Sequence, residues 1–275
     1  MGFYKLYFLI FFSFGLKSAF GQSTRPSAKP YTNEATYEKL KKKYPFITPL
    51  DRPTPTNIGI DKDVEYANIN GISLKADIYF PLDRSQKYPV IAMVHGGGWI
   101  SGSKENEKYM AQELASKGYV AIAVGYRLAD FAKYPAAIID IENAIKFLKK
   151  NKNKYALDSK KIAIYGESAG AQLATLVGVR KKNKIKAIVN VDGIVSFIHP
   201  EAEESSYAAF WLGGDRNVNL KNWTEASPLE FVDKNTPPTI FINSSQPRFH
   251  AGRDDMMKKL KSYNIATEFH EIKDT

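Results

Sequence analysis

The 275-residue chain contains no cysteine. That absence excludes a disulfide framework, thiolate metal sites, a thiol nucleophile and a lipid-modified N-terminal cysteine. Histidine is scarce, with four in all, so histidine-dependent chemistry has only His95, His199, His250 and His270 to draw on. No internal repeat is evident, and no apolar run reaches the ~20 residues of a membrane-spanning helix. The longest, Leu6 to Leu16, has a different character.

Lys5 precedes that run, and Ala19-Phe20-Gly21 follows it with the small-x-small pattern of a cleavage site. Residues 1–21 therefore read as a signal peptide, with a membrane anchor as the alternative. The mature chain is expected to begin near Gln22, secreted or periplasmic, with no stable membrane insertion after cleavage. Cleavage removes Lys5 and Lys17 and no acid, taking the net charge from +10 to +8. Lysine clusters at 41–43, 149–150 and 181–182 read first as solvated helix ends and loops. A second reading is attraction to an acidic partner such as a polyuronate. Nucleic acid is not expected as a partner, because export removes it and no base-stacking motif accompanies the lysines.

Residues 22–60 are rich in Pro, Thr, Ser and Lys and read as an arm or linker, with a short helix over 35–43. Residues 61–275 read as one α/β domain. Alternating runs at 64–67 and 72–79 flank Asn70-Gly71, a hairpin signal. Apolar strand-type runs follow at 88–95, 119–126, 162–165, 185–191 and 239–243, and the rhythm ends with a further strand candidate at 266–272. Between them helices fit 105–117, 136–151, the stretch after residue 168, and 253–263. This alternation implies a mostly parallel central sheet with helices on both faces and an antiparallel N-terminal hairpin. Residues 196–235 break the rhythm as an irregular insertion, either a substrate-facing cap or a packing excursion on the rim.

Two motifs carry the chemistry. Gly166-Glu167-Ser168-Ala169-Gly170 stands between a strand and a helix, the setting of a nucleophile elbow. With glycine near 7% of an average chain, chance places such a pattern in about a tenth of chains this long, so a second feature is required. His95-Gly96-Gly97-Gly98-Trp99 supplies it, also directly after a buried strand. Consecutive glycines let backbone amides approach a ligand, so Gly97, Gly98 and Ala169 are the candidate oxyanion donors for a Ser168 nucleophile.

With Tyr126-Arg127-Leu128, Tyr134-Pro135-Ala136-Ala137 and Asp140 added, the chain from about Val64 onward resembles the α/β-hydrolase superfamily. The similarity is to its hormone-sensitive-lipase-like and carbohydrate-esterase-like branch, the feruloyl or acetyl esterase type. The resemblance implies an α/β-hydrolase fold, a Ser168 nucleophile, and structural roles for Asp140 and Tyr126-Arg127. It also places an acid after the next-to-last strand, but Asn243 to His250 offers no carboxylate. Asp192, one strand earlier, is the candidate acid and Asp254 the second choice. The histidine base is implied a few residues beyond the last strand, where the chain stops at Lys273-Asp274-Thr275. We therefore expect a C-terminally truncated fragment; a shortened, weakly catalytic protein and a base relocated to His250 are the other readings.

The expected function is an exported serine hydrolase acting on a small-molecule or polysaccharide ester, with an acetyl or aryl ester on a polysaccharide as the first expectation. No metal or organic cofactor is required. A serine exopeptidase or amidase of the same fold, and a non-catalytic polysaccharide-binding homologue, are the rival expectations.

Overall fold

Eight strands hydrogen-bond into one open sheet in the order β1-β2-β4-β3-β5-β6-β7-β8. The structure is a computed structural model describing residues 24–180, 182, 184–203 and 205–273; the expected signal peptide lies outside the described residues. Strands β1 (Ile58–Ile69) and β2 (Ile72–Pro81) form the antiparallel hairpin. Asn70 and Gly71 turn between them at φ of 53° and 83°, as a type I′ turn requires. The hairpin begins earlier than its alternation suggests, because an irregularity between Asp61 and Val64 interrupts the two-residue period.

Strand β2 pairs antiparallel with β4 (Val120–Val124). Every later pairing is parallel, through β3 (Tyr88–Val94), β5 (Leu157–Glu167), β6 (Ala187–Val191), β7 (Thr239–Ser244) and β8 (Thr267–Ile272). Chain order reverses around β3, which lies between β4 and β5. In open α/β sheets the crevice outside the carboxyl ends of such strands is where ligands bind. Both sequence motifs end there, one after β3 and the other after β5.

Helices cover both faces. Residues alternating along β3 and β4 divide between two cores, as the strand period dictates. Val90, Ala92, Val94, Val120, Ile122 and Val124 join the larger core with α3 (Ala136–Lys150), α4 (Ala169–Val179) and α7 (Arg253–Ser262). Met93, Ala121 and Ala123 face α2 (Lys108–Ser116) through Ala111 and Ala115. All eleven residues of α4 are buried, which explains its Ala- and Gly-rich composition: bulky side chains have no room. Among the described residues no helix is long and apolar enough to cross a membrane.

Two segments carry more structure than their composition suggests. The arm contains α1 (Asn33–Lys43), capped by Thr32, whose Oγ1 accepts from Ala35 N at 3.1 Å. The insertion contains α5 (Ser206–Leu212) and α6 (Leu220–Glu225), correcting the irregular reading. Helices this short complete too few turns to display a helical period. Trp211 and Trp223 anchor the insertion, both with no exposed surface.

One ion pair fixes the loop after β4. Arg127 donates from Nε and Nη2 to the fully buried Asp140 carboxylate of α3, at 2.7 Å for the shortest contact, and Arg127 N donates to the same group at 2.9 Å. Asp140→Asn leaves the mostly buried guanidinium without its counter-charge. We expect it to lower the unfolding free energy by about 3–5 kcal/mol, measured by urea titration.

Candidate active site

Ser168 sits at φ 52° and ψ −123°, a strained conformation that costs on the order of 1–3 kcal/mol and persists only where its surroundings impose it. The surroundings here are backbone. Ser168 N donates to Val191 O at 2.7 Å, and Ser168 O accepts from Ala171 N and Gln172 N as α4 begins. A Cβ on Gly166 would lie 2.3 Å from Gly170 O, and one on Gly170 would lie 2.1 Å from Val94 O. The two flanking glycines are thus dictated by contact of the elbow with itself and with the end of β3. Any larger residue would push the serine out of position.

Ser168 opens onto a cavity of about 450 Å³ that Gly98, Ala169 and Asp192 also line. A volume of that size suits a small organic ligand. Gly97 and Gly98 adopt φ of 114° and 60°, and Gly97 O is tied down by Ile100 N, Ser101 N and Ser101 Oγ. Among the described residues, the amides of Gly97, Gly98 and Ala169 donate to no protein acceptor. The glycine loop is held by its neighbour: Trp99 stacks on Trp211 of the insertion at 4.9 Å between centroids and 5° between planes. Trp99 Nε1 also donates to Gln172 Oε1 at 3.0 Å, and Gln172 Nε2 donates to Ala226 O at 2.7 Å. The insertion's tryptophans pack into the core, and its Ala202, Glu203, Ser205, Ser206 and Tyr207 line the cavity.

Asp192 follows β6 at φ 53°. Its Oδ1 accepts from Ser244 N at 2.8 Å and from Asn243 Nδ2 at 3.2 Å. The end of β7, which lacks a carboxylate of its own, thus supplies the donors that hold Asp192. Asp254 is elsewhere: it accepts from Arg253 Nε at 2.8 Å and is largely exposed.

None of the four histidines lines the cavity. His95 is buried, stacked on Tyr126 at 4.3 Å, and burial pushes its pKa down to about 4. His199 is engaged by Asp255 and by Glu201 N. His250 Nε2 meets Ser244 O at 3.1 Å in a neighbouring groove, and His270 is exposed on β8 beside Glu268. Two residues near the elbow gave no signal in the sequence. Tyr31 donates to Glu167 Oε1 at 2.9 Å, and Glu107 is buried close to Glu167. Neither belongs to a motif, and both reach the site only through folding.

Residues 76–265 match the model of the BD-FAE family. Among curated proteins, Esterase LipC of Mycobacterium tuberculosis is 27% identical over 179 residues, 58% of this chain and 44% of that protein. The Arylesterase of Saccharolobus solfataricus is 30% identical over 165 residues, 59% of this chain and 53% of that protein. The match spans about half the length of these relatives. Among solved structures, a bifunctional GH43-CE protein of Bacteroides eggerthii superimposes with a TM-score of 0.69 at 24% identity, covering 78% of this chain and 35% of that one. At that identity the likeness is one of fold.

Electrostatics behind the elbow make the structure sensitive to alkali. Glu107 Oε1 is buried with no hydrogen-bond partner among the described residues. Burial first, and the charge of Glu167 second, push the Glu107 carboxyl from its ordinary 4.5 up to about 8. Between those values the folded state keeps a proton that the unfolded state has released, so stability falls as pH rises through that window. Glu107→Gln should remove this slope. We expect its Tm to match the unmodified protein at pH 4 and to exceed it by several degrees at pH 9, read by calorimetry.

Proposed function

The chain belongs to the BD-FAE family, and we propose that it is a serine hydrolase cleaving carboxylic esters through an acyl-enzyme on Ser168. The observation that carries this reading is the juxtaposition at the cavity. A strained serine at the head of α4 faces the same space as Gly98 and Ala169, whose amides have no protein acceptor. Ser168 Oγ attacks the ester carbonyl, and the oxygen of the tetrahedral intermediate takes hydrogen bonds from the amides of Gly97, Gly98 and Ala169. Collapse breaks the ester C–O bond, the alkoxide leaves as the alcohol with the proton given up by Ser168 Oγ, and the acyl-enzyme remains. Water then attacks the same carbonyl, releases the acid and restores Ser168.

Asp192 is the acid of this mechanism. The two donors on its Oδ1 fix its carboxylate and leave Oδ2 to orient a histidine, as a triad acid must. The resemblance to α/β hydrolases puts that histidine after β8, and the described residues bring none to the cavity.

The substrate we favour is an acetyl or aryl ester carried on a polysaccharide, met outside the cytoplasm. Support comes from the cavity's two textures. Trp99, Ile194 and Phe197 offer apolar surface suited to a small acyl or aryl group, while Glu203, Ser206 and Arg248 make a polar rim suited to a hydroxyl-rich alcohol. Export rests on residues 1–21 alone.

Assayed on the full-length protein with 4-nitrophenyl acetate and acetylated xylan, Ser168→Ala should lower kcat by at least about 10⁴-fold. Asp192→Asn should lower kcat by about 10³–10⁴-fold with little change in KM. A fluorophosphonate probe should label the unmodified protein and not Ser168→Ala; equal labelling or equal turnover would refute the assignment.

A further inference from the structure

The arm before the sheet lies across the back of both glycine-rich motifs. Arg25 pairs with Asp130 at 2.6 and 2.8 Å, holding one end of the arm against the loop after β4. Ser27 O accepts from Tyr207 Oη at 2.9 Å. The Tyr207 ring in turn packs on Gly98, where a Cβ would lie 2.9 Å from it. Further along, Tyr31 O accepts from Asn106 Nδ2 at 3.1 Å, so the chain is pinned again just before α1 starts.

Between these pins Tyr31 touches both halves of the site. Its hydroxyl donates to Glu167 Oε1 at 2.9 Å, on the residue immediately before Ser168. Its ring edge lies on Gly96, where a Cβ would stand 3.1 Å from Tyr31 Oη and 3.2 Å from Cε1. The same Cβ would stand 3.0 Å from Glu167 O. Tyr31, Gly96 and Glu167 therefore meet at one point. The glycine loop carries the oxyanion donors and the elbow carries the nucleophile, and catalysis requires the two to hold one spacing to within about 1 Å.

We propose that Tyr31 is a positioning residue: through its hydrogen bond to Glu167 and its contact with Gly96, the N-terminal arm clamps the glycine loop against the Ser168 elbow. The proposal rests on Ser168 being the nucleophile. It makes the arm part of the catalytic apparatus, although the arm lies outside the α/β sheet and presents no motif. Glu167 thereby gains a function within Gly166-Glu167-Ser168-Ala169-Gly170: its side chain receives the clamp.

The test compares Tyr31→Phe, Glu167→Ala, Glu167→Gln and the Tyr31→Phe/Glu167→Ala double variant in the full-length protein. Tyr31→Phe should lower kcat about 10-fold, the scale of a lost positioning contact, with KM within about 2-fold. Glu167→Ala should do the same. Glu167→Gln should retain most of kcat, because its amide oxygen still accepts from Tyr31. The double variant should be no slower than either single one, since both remove the same bond. Hydrogen exchange should quicken in Tyr31→Phe at the hydrogen-bonded amides of the two loops, Ile100 and Ser101 on Gly97 O, Ser168 on Val191 O and Ala171 on Ser168 O, while the strand amides of β4 keep their protection; a general loss of stability would raise both together. Unchanged kcat and unchanged loop exchange in Tyr31→Phe, or losses that multiply in the double variant, would overturn the clamp. If Ser168→Ala keeps its activity, the nucleophile assignment falls instead, and the exchange comparison by itself decides whether Tyr31 holds the two loops together.

Discussion

The structure depends on the closeness of two backbones, at Gly166 and Gly170. Their approach forces Ser168 into positive φ, turns β5 directly into α4, and presses the first turn of that helix against the end of β3. The strain of that turn, on the order of a few kcal/mol at most, is offset by the burial around it. All of α4 is enclosed, and its residues join the larger core with the strands on either side. A serine held this way cannot relax without dislodging a buried helix. That is what converts an ordinary hydroxyl into a fixed point about which a site can be built.

What surrounds the fixed point comes from distant parts of the chain. Trp211 of the insertion, fully buried, stacks on Trp99 and so holds the glycine loop. Ser244 and Asn243, at the end of β7, orient Asp192 at the end of β6. Tyr31, from the arm, reaches Glu167 from behind. Each of these groups is polar or aromatic and each finds a partner, so the site is rigid on three sides. The remaining side is the cavity mouth, where Glu203 and Arg248 are exposed.

Buried charge is handled in two ways. Arg127 and Asp140 neutralise each other through a bidentate pair that ties the loop after β4 to α3. Glu107 has no such partner, and burial beside Glu167 holds its carboxyl protonated up to about pH 8. The first arrangement leaves neither buried charge without a counter-charge. The second ties the integrity of the region behind the elbow to the protonation of one group.

The amino-acid sequence by itself determined the α/β class, the hairpin at Asn70-Gly71, the run of parallel strands, and the pairing of Gly166 to Gly170 with His95 to Gly98. These are local: a period of two or 3.6, a turn dipeptide, or a glycine demanded by a close contact leaves its mark within a few residues. The short helices α5 and α6 left none, being too brief for a period to show, and the bulge near Asp63 hid the start of β1. Only the tertiary structure decided that Asp192, rather than Asp254, shares the cavity with Ser168, that His250 faces a different groove, and that Tyr31 and Glu107 gather behind the elbow. Those outcomes depend on which loops the sheet order brings together and which side chains burial leaves facing one another. The contact between Tyr31 and Glu167 spans 136 residues of chain, a separation across which no local pattern carries information.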